Sequence, residues 1–306
     1  MNTKRDKNEY FNYINIAYAF DNIYYYITHV SMKSVMMNQN KNTFIKFYIL
    51  ISENIYNEQK EVIDKISKDY FNCNITYFLF EDEFKEFSSE GTINRTTAIY
   101  YRLFLQNLLL NEKKILYLDC DTIVYKDLYK LYNYDIKDKY YIGEYEGKAL
   151  LKYGKNLKDF INSGVILINL ENLRKDNIFP KIYDFLKENN MHLLYLDQDA
   201  INVVCNKKNG FFPSDYISSG VCDLNVLKKL NKYKNFERDK IKNLKEPYIF
   251  HFKIYKKPWH GIARGIQGMI CYDFFHRFYE YARKTNYYFE ILEKFKVFQE
   301  INSTLL

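Results

Sequence analysis

The chain has few of the residues that interrupt or cross-link a polypeptide. Its 306 residues include only four Pro and ten Gly, and no Pro- or Ser-rich linker divides it. Five Cys are scattered without a CxxC pair, which argues against a zinc site or a disulfide framework and for a reducing compartment. The length and the lack of linkers predict one large domain or two small ones around a sizeable core.

Long apolar runs are also missing. No run approaches the roughly 18 residues of a membrane-spanning helix, and the N-terminal MNTKRDKNEYF lacks the apolar core of a signal peptide. The formal net charge of +7 favours anionic partners such as nucleotides, phosphates or anionic lipid. The charge is spread thinly, which disfavours nucleic acid. We expect a cytoplasmic protein, with peripheral attachment to the inner face of the cytoplasmic membrane as an open alternative.

Apolar strand patterns alternate with helical patterns along the chain. Strands are predicted at residues 13–20, 43–50, 74–80, 115–119, 122–125 and 164–170. Helices are predicted at residues 24–39, 57–69 and 96–110, the last with Thr96 or Thr97 as its N-cap. The alternation predicts an α/β fold with a mostly parallel sheet. We divide the chain into a domain of residues 1–265 and a helical, aromatic and basic segment of residues 266–306.

Polar residues follow three predicted strands, at the edge where such sheets bind ligands. They are Asp21-Asn22, the pair Asp119 and Asp121, and an INSG turn at residues 161–164. In extended chain, residues i and i+2 point to the same side, so the two aspartates can aim at one point. Like charges that close repel unless a cation lies between them. The pair therefore predicts Mg²⁺ or Mn²⁺ shared with substrate phosphates; the alternative is that Asp119 caps a turn and Asp121 is solvated.

Two classes of enzyme use an Asp-x-Asp pair at such a position. Haloacid-dehalogenase-type phosphotransferases carry DxDxT with the first Asp as nucleophile, and DCDT at 119–122 matches it formally. That motif usually lies near the start of its domain, whereas here it lies more than a hundred residues in. Nucleotide-sugar glycosyltransferases form the second class, in which the pair holds a metal on a diphosphate.

Six stretches of the sequence, one of which contains the aspartate pair, decide between these two classes of enzyme. They are, in order, IAYAFDNIYY, TTAIYYRL, LYLDCDTIV, FINSGVILINL, YLDQDAIN and IFHFKIYKKPWH. Together they resemble glycosyltransferase family 8, the retaining nucleotide-sugar transferases that include bacterial lipooligosaccharide galactosyl- and glucosyltransferases and glycogenin. FYEYARKTNYY is similar to a common ending of bacterial members. The resemblance spans roughly residues 14–290, and six motifs in family order are specific although each alone is weak.

The resemblance implies a fold, a reaction and a set of site residues. The fold would be of the GT-A type, a Rossmann-like mixed and mostly parallel sheet with flanking helices. The reaction would be metal-dependent transfer of a hexose, galactose or glucose, from a UDP-sugar to a glycan or glycolipid acceptor such as lipopolysaccharide. The implied residues are Asp119, Asp121 and His251 for Mn²⁺ or Mg²⁺; Ala19, Asp21, Tyr24, Arg102, Asp119, Cys120, Asn162 and Lys257 for the donor; and Asp197, Gln198 and Asp199 for catalysis.

Several of these residues also have a structural interpretation. Asp21 would bind the uracil edge and Tyr24 would pack on the base, or Asp21 caps the next helix and Tyr24 belongs to the core. Arg102 would lie near the sugar and diphosphate, or it forms a salt bridge to a nearby acid. His251 could be a packed structural residue, and Asp197 a helix N-cap.

Three expectations concern the surroundings of this site. The family often has Gly where this chain has Ile254, so close backbone approach to the diphosphate is harder there. Residues 143–159 are expected to shape the acceptor side. Gln198 is a poor nucleophile, so the resemblance implies attack on the same face of the sugar that the phosphate leaves. The remaining alternative is a non-catalytic nucleotide-sugar-binding protein on a degenerate transferase fold.

Overall fold

A computed structural model describes a large part of the chain. The described residues are 12–21, 24–53, 56–81, 84–87, 97–147, 157, 160–189, 195–219, 247–253, 257–260 and 276–294. The strands are β1 Asn12–Ala19, β2 Thr43–Ser52, β3 Cys73–Phe80, β4 Lys114–Leu118, β5 Thr122–Val124, β6 Tyr141–Tyr145, β7 Ile161–Asn169, β8 Asn209–Phe211, β9 Ile217–Ser219 and β10 Ile249–His251. The α-helices include α1 Tyr25–Asn38, α2 Tyr56–Asp69, α3 Ala98–Tyr101, α4 Leu105–Leu108, α5 Tyr129–Tyr132, α6 Leu170–Lys175, α7 Ile178–Asn189 and α8 Asp197–Val204.

Seven strands form one mixed sheet in the order β3-β2-β1-β4-β7-β6-β8. The first four run parallel, β7 is antiparallel to both β4 and β6, and β8 is parallel to β6. Strands β5, β10 and β9 form a second, smaller sheet. The mostly parallel α/β sheet with flanking helices that the sequence predicts is confirmed.

The side-chain alternation of the central strands fills a core on each face of the large sheet. In β1, Ala17 faces one apolar cluster, while Ile16 and Tyr18 face the other. In β4, Tyr117 and Leu116 divide in the same way. Because both faces are buried, these strands read as nearly continuous apolar runs.

The structure corrects three local predictions. The expected INSG turn at 161–164 is the first part of strand β7, because both its neighbours β4 and β6 pair with β7. The expected single helix at 96–110 is interrupted by a 3₁₀ turn at Arg102–Phe104. Thr97 occupies the N-cap position of α3 without capping it, since its hydroxyl lies 3.1 Å from Tyr101 Oη; Thr96 lies outside the described residues.

The described C-terminal residues pack on α1. Residues 276–282 and 288–294 are helical, and Phe278 and Tyr281 share an apolar core with Ile27, Val30 and Trp259. Residues 266–275 and 295–306 lie outside the described part. Among the helices within the described ranges, none has the length and apolarity needed to span a membrane.

His29, buried in α1, makes folding stability depend on pH. The ring lies edge-on to Tyr287, its Nδ1 is 2.8 Å from the carbonyl of Val62, and burial lowers its pKa to about 4. The unfolded chain takes up this proton below about pH 6.5 and the folded chain only near pH 4, so stability falls between these values. We expect this residue to cost about 2 kcal/mol at about pH 5 relative to neutral pH.

Urea unfolding of wild type and His29→Gln at neutral pH and at about pH 5 tests this expectation. Gln keeps a donor for the Val62 carbonyl but does not titrate. The stability difference between the two proteins should therefore shrink by about 2 kcal/mol on acidification. A difference that stays constant with pH would contradict the assignment.

Candidate active site

A cavity of about 240 Å³ lies where β1 and β4 end. Its walls are Ala19, Phe20, Asp21, Tyr24, Ala98, Ile99, Arg102, Asp119, Cys120 and Asp121. Seven of the thirteen residues that the sequence assigns to the site are therefore on its surface. Because β1 and β4 are adjacent parallel strands, their carboxyl ends meet at this edge, as expected for a ligand site in such a sheet.

The pairing of β5 with β10 brings His251 to the aspartate pair. The two strands are antiparallel with His251 opposite Thr122, one residue beyond Asp121. His251 Nε2 lies 3.1 Å from Asp121 Oδ1 and 3.5 Å from Asp119 Oδ2. Lys257 Nζ contacts the other oxygen of Asp121 and the carbonyl of Phe252. Residues distant in sequence thus form one cluster of two carboxylates, one imidazole and one lysine side chain.

Electrostatics keep the two aspartates ionised. Burial raises the pKa of Asp121, but Lys257 and His251 lower it more, so its pKa lies well below the ordinary range. Burial and Arg102 act in the same opposed way on Asp119, with a net lowering of its pKa. For His251, burial lowers the pKa and the two aspartates raise it to a net increase. The cluster is therefore a pair of anions that cationic groups stabilise.

Arg102 joins the two acidic parts of the site. Its guanidinium is 6% exposed, lies over the ring of Tyr117 at 4.2 Å, and pairs with Asp119 at 3.0 Å and Asp197 at 3.3 Å. Burial raises the pKa of Asp197 to about 6, against the lowering effect of Arg102. The salt-bridge interpretation of Arg102 is thus correct in geometry, and its partners are themselves residues assigned to the site.

An irregularity in β7 places backbone groups in the site. The β6 register passes from Gly143 opposite Ile166 to Glu144 opposite Asn162, so the intervening residues of β7 bulge out of the ladder. The carbonyl of Ser163 is thereby free to accept from Arg102 Nη1 at 2.6 Å. Bulges of this kind commonly re-aim groups beside active sites.

The start of α8 contributes the remaining predicted residues. Gln198 Oε1 accepts from Asn162 Nδ2 and from the backbone N–H of Ser163, each at 3.0 Å. Asp199 is fully buried, and its Oδ2 accepts from the N–H of Tyr195 at 3.0 Å. Leu196, the N-cap residue of α8, has φ 52° and ψ −111°, a strained backbone for a branched residue. Asp197 is the first residue of the helix and not its N-cap.

The three ligands that the sequence predicts for a metal fit a divalent ion. Asp119, Asp121 and His251 each offer one donor atom, and these atoms lie within 4.8 Å of one another. An imidazole beside two carboxylates favours Mn²⁺ over Ca²⁺. In the described residues His251 Nδ1 is buried without a hydrogen-bond partner, so Nε2 makes the polar contacts of the ring.

Gly164 leaves the space for this cluster. Its carbonyl accepts from the N–H of Asp119 at 2.6 Å, and a Cβ at this position would lie 2.9 Å from His251 Nε2 and closer still to Asp119 Oδ2. We expect Gly164→Ala to weaken Mn²⁺ binding by at least about tenfold, because the added methyl displaces both ligands.

Titration calorimetry with Mn²⁺ measures this effect, and Gly210→Ala is the matched control. A Cβ at Gly210 would make only ordinary contacts at 3.5 Å, so Mn²⁺ affinity should stay at the wild-type value. Equal affinity of Gly164→Ala and wild type would show that the ion does not lie between these side chains.

Asp21 and Tyr24, the pair that the resemblance assigns to the base of the donor, both lie on the wall of the cavity. Tyr24 occupies the N-cap position of α1, three residues after Asp21. Tyr24 also packs edge-on against Trp259 at 6.1 Å, so it is at once part of the core and of the cavity wall. Cys120 Sγ donates to the carbonyl of Ala19 at 3.3 Å, which ties the two strand ends together. Ile254, by contrast, lies outside the described residues.

Sequence reasoning missed three contributors. The backbone carbonyl of Ser163 accepts a hydrogen bond from Arg102, and Gly164 leaves room for the aspartate cluster because it has no side chain. The ring of Tyr117 packs against the guanidinium of Arg102. A Gly within a strand pattern often marks a bulge or a close backbone approach, and Gly164 carried that signal. Nothing in the apolar pattern around Tyr117 distinguished it from an ordinary core residue.

Comparisons with known proteins agree with this architecture. The family model described as "Glycosyl transferase family 8" matches residues 15–263. A putative glycosyltransferase of Haemophilus influenzae is 30% identical over 227 residues, 71% of this chain and 67% of that protein. The lipopolysaccharide 1,2-glucosyltransferase of Escherichia coli K12 is 26% identical, over 82% of this chain and 74% of that protein. The chain spans 62% of the general stress protein A of Bacillus subtilis, and so only part of that relative.

The fold has a close counterpart among solved structures. The galactosyltransferase LgtC, solved with donor and acceptor sugar analogues, superposes with a TM-score of 0.69 at 21% identity, over 89% of this chain and 96% of that one. This likeness confirms the GT-A fold that the sequence resemblance implied. With more than two thirds of its length matched by the family model, the chain belongs to glycosyltransferase family 8.

Proposed function

We propose that the protein is a metal-dependent hexosyltransferase that moves galactose or glucose from a UDP-sugar to a glycan acceptor. One observation carries the proposal: Asp119 and Asp121 line the cavity, lie within reach of one ion together with His251, and pair with Arg102 and Lys257. A nucleoside diphosphate sugar needs cations for its phosphates and a polar partner for its base. Asp21 would accept from the uracil edge and Tyr24 would pack on the base.

The residues around the diphosphate would change partners on donor binding. Asp119, Asp121 and His251 would hold Mn²⁺ or Mg²⁺, which would neutralise the leaving diphosphate. Lys257 pairs with Asp121 in the described structure, and a phosphate would offer it a second anion. Arg102, fixed by Asp119 and Asp197, would stay in place and present its remaining donors to the donor sugar.

The acceptor and location are proposed from the relatives. Relatives from Escherichia coli and Salmonella typhimurium are lipopolysaccharide glucosyl- and galactosyltransferases, which favours a lipopolysaccharide or other surface glycan as acceptor. A cytoplasmic enzyme, attached peripherally to anionic membrane through the basic and aromatic C-terminal segment, suits such an acceptor. Residues 143–147, which are described, and 148–159, which are largely outside the described part, would shape the acceptor side.

The stereochemical course is a prediction of this proposal. Retention by two displacements needs a nucleophile opposite the leaving group, and the amide of Gln198 cannot easily hold a stable glycosyl ester. We expect attack from the face that the phosphate leaves, so an α-linked UDP-hexose should give an α-linked product. The anomeric coupling in the NMR spectrum of the product measures this, and a β-linked product would contradict it.

Incubation with a panel of UDP-sugars and Mn²⁺ tests the function, with UDP release as the readout. A haloacid-dehalogenase-type phosphotransferase would instead cleave phosphate monoesters and ignore these donors. A non-catalytic nucleotide-sugar-binding protein would bind UDP tightly without turnover on any acceptor. We expect UDP to be released from one hexose donor in the presence of Mn²⁺, and no UDP to be released in EDTA.

A further inference from the structure

Helix α1 buries a stripe of polar side chains where an apolar face would be expected. Ser31 and Ser34 are completely buried, and the half-buried Asn38 follows on the same face at helical spacing. A buried hydroxyl costs free energy unless it is hydrogen-bonded. The partners of these three side chains therefore indicate what the stripe does.

The first member, Ser31, belongs to a chain of hydroxyl groups that ends on the aspartate turn. Ser31 Oγ lies 3.0 Å from Tyr18 Oη and 2.9 Å from Thr122 Oγ1, and Thr122 Oγ1 donates to the carbonyl of Asp119 at 2.8 Å. Each hydroxyl has one proton. Because Thr122 uses its proton on Asp119, Ser31 must donate to Thr122 and Tyr18 must donate to Ser31.

The protonation of Tyr18 and the burial of the chain agree with this direction. Burial raises the pKa of Tyr18 far above its ordinary value, so the phenol remains a donor. Tyr18, Ser31 and Thr122 are each at most 1% exposed. In such a dry environment aligned hydrogen bonds strengthen one another. The carbonyl of Asp119 therefore has a fixed, fully buried donor.

The other two members hold the far side of the same turn. Ser34 Oγ accepts from the N–H of Val124 at 2.9 Å and donates to the carbonyl of Ser31 at 2.6 Å. Asn38 Nδ2 donates to the carbonyl of Val124 at 2.9 Å. Helix α1 is thus hydrogen-bonded to strand β5, which begins directly after Asp121. The hydroxyl chain is hydrogen-bonded to the carbonyl of Asp119, which precedes Asp121.

These contacts matter because the turn must hold two anions close together. Repulsion between Asp119 and Asp121 favours their separation whenever no cation lies between them. Backbone contacts that fix the turn in advance reduce the ordering that metal binding would otherwise require. We propose that Tyr18, Ser31 and Thr122 are positioning residues that set the metal affinity of the site, an inference that rests on the proposed metal-dependent function.

Mn²⁺ titration calorimetry on wild type and four variants, with thermal unfolding in EDTA as a fold control, tests this inference. Thr122→Val keeps the shape but removes the hydroxyl, and we expect about tenfold weaker Mn²⁺ binding. Thr122→Ser keeps the hydroxyl and should bind within about twofold of wild type. Ser31→Ala removes the middle hydroxyl of the hydrogen-bonded chain and leaves the sequence of the aspartate turn unchanged. This variant should also bind Mn²⁺ more weakly than wild type.

Thr43→Val is the matched control for these variants. Thr43 is completely buried in β2, and within the described residues its hydroxyl has no hydrogen-bond partner. Its Mn²⁺ affinity should equal that of wild type. Wild-type affinity in Thr122→Val and Ser31→Ala would overturn the positioning role while leaving the metal site intact. Wild-type protein that binds no Mn²⁺ would overturn the metal site itself and this inference with it.

Discussion

Replacement of Asp121 by Ala is expected to lower Mn²⁺-dependent hydrolysis of the UDP-hexose donor by about 10²–10³-fold. Asp121 offers one of the three donor atoms of the proposed metal site and is also the partner of His251 and Lys257. Its loss would leave those two groups beside a diphosphate whose charge is not fully neutralised. Release of UDP, followed at saturating donor with added Mn²⁺, measures the effect.

Asp138→Ala is the control for the loss of an aspartate. Asp138 is 70% exposed and pairs with Lys208 at 3.8 Å, an interaction worth little at a protein surface. Its donor hydrolysis should match wild type, and both variants should retain the wild-type circular dichroism spectrum. Near-normal turnover of Asp121→Ala would contradict the metal assignment.

Replacement of Asp199 by Ala is expected to cost more activity than replacement of Gln198. Asp199 is a fully buried carboxylate that accepts a hydrogen bond from the N–H of Tyr195. Under the proposed function this carboxylate would also bind the hydroxyls of the donor sugar. Gln198 orders Asn162 through a neutral hydrogen bond. We expect kcat to fall by about 10²–10³-fold for Asp199→Ala and by about tenfold for Gln198→Ala.

Asp199→Asn separates the charge of Asp199 from its shape. The amide oxygen can still accept from Tyr195, so the fold around α8 should persist while the charge is lost. A kcat near that of Asp199→Ala would assign the effect to charge, as we expect. If Gln198→Ala lost more activity than either Asp199 variant, the roles of the two side chains would be reversed. A glycosyl adduct trapped on Asp199 or Gln198 would leave retention intact but exclude attack from the leaving-group face.

Much of the fold follows from local pattern. The predicted strands at 13–20 and 43–50 agree with β1 Asn12–Ala19 and β2 Thr43–Ser52 within two residues, because their apolar runs are long and bounded by polar residues. Strand β6, Tyr141–Tyr145, was not predicted. It has only five residues, and its central Gly143 weakens the strand pattern. Its existence depends on pairing with β7 and β8, which no local signal encodes.

The sequence predicts those parts of the candidate site that consist of distinctive side chains in a recognisable motif. The pair Asp119 and Asp121 follows a strand and stands out in sequence, whereas its proximity to His251 depends on the register of β5 against β10. That register joins residues more than a hundred positions apart, so only the family resemblance could supply it. The hydroxyl of Ser31 gave no signal at all, since a Ser within a helix pattern is ordinarily solvent-exposed.

Titration of UDP into the protein with Mn²⁺ or with EDTA tests the central claim most directly, namely that the cluster of Asp119, Asp121 and His251 binds a nucleotide diphosphate through a cation. Wild type should bind UDP with Mn²⁺ and lose at least about a hundredfold in affinity in EDTA, while Asp121→Ala should bind weakly in both. Equal UDP affinity of wild type with and without metal would contradict the account.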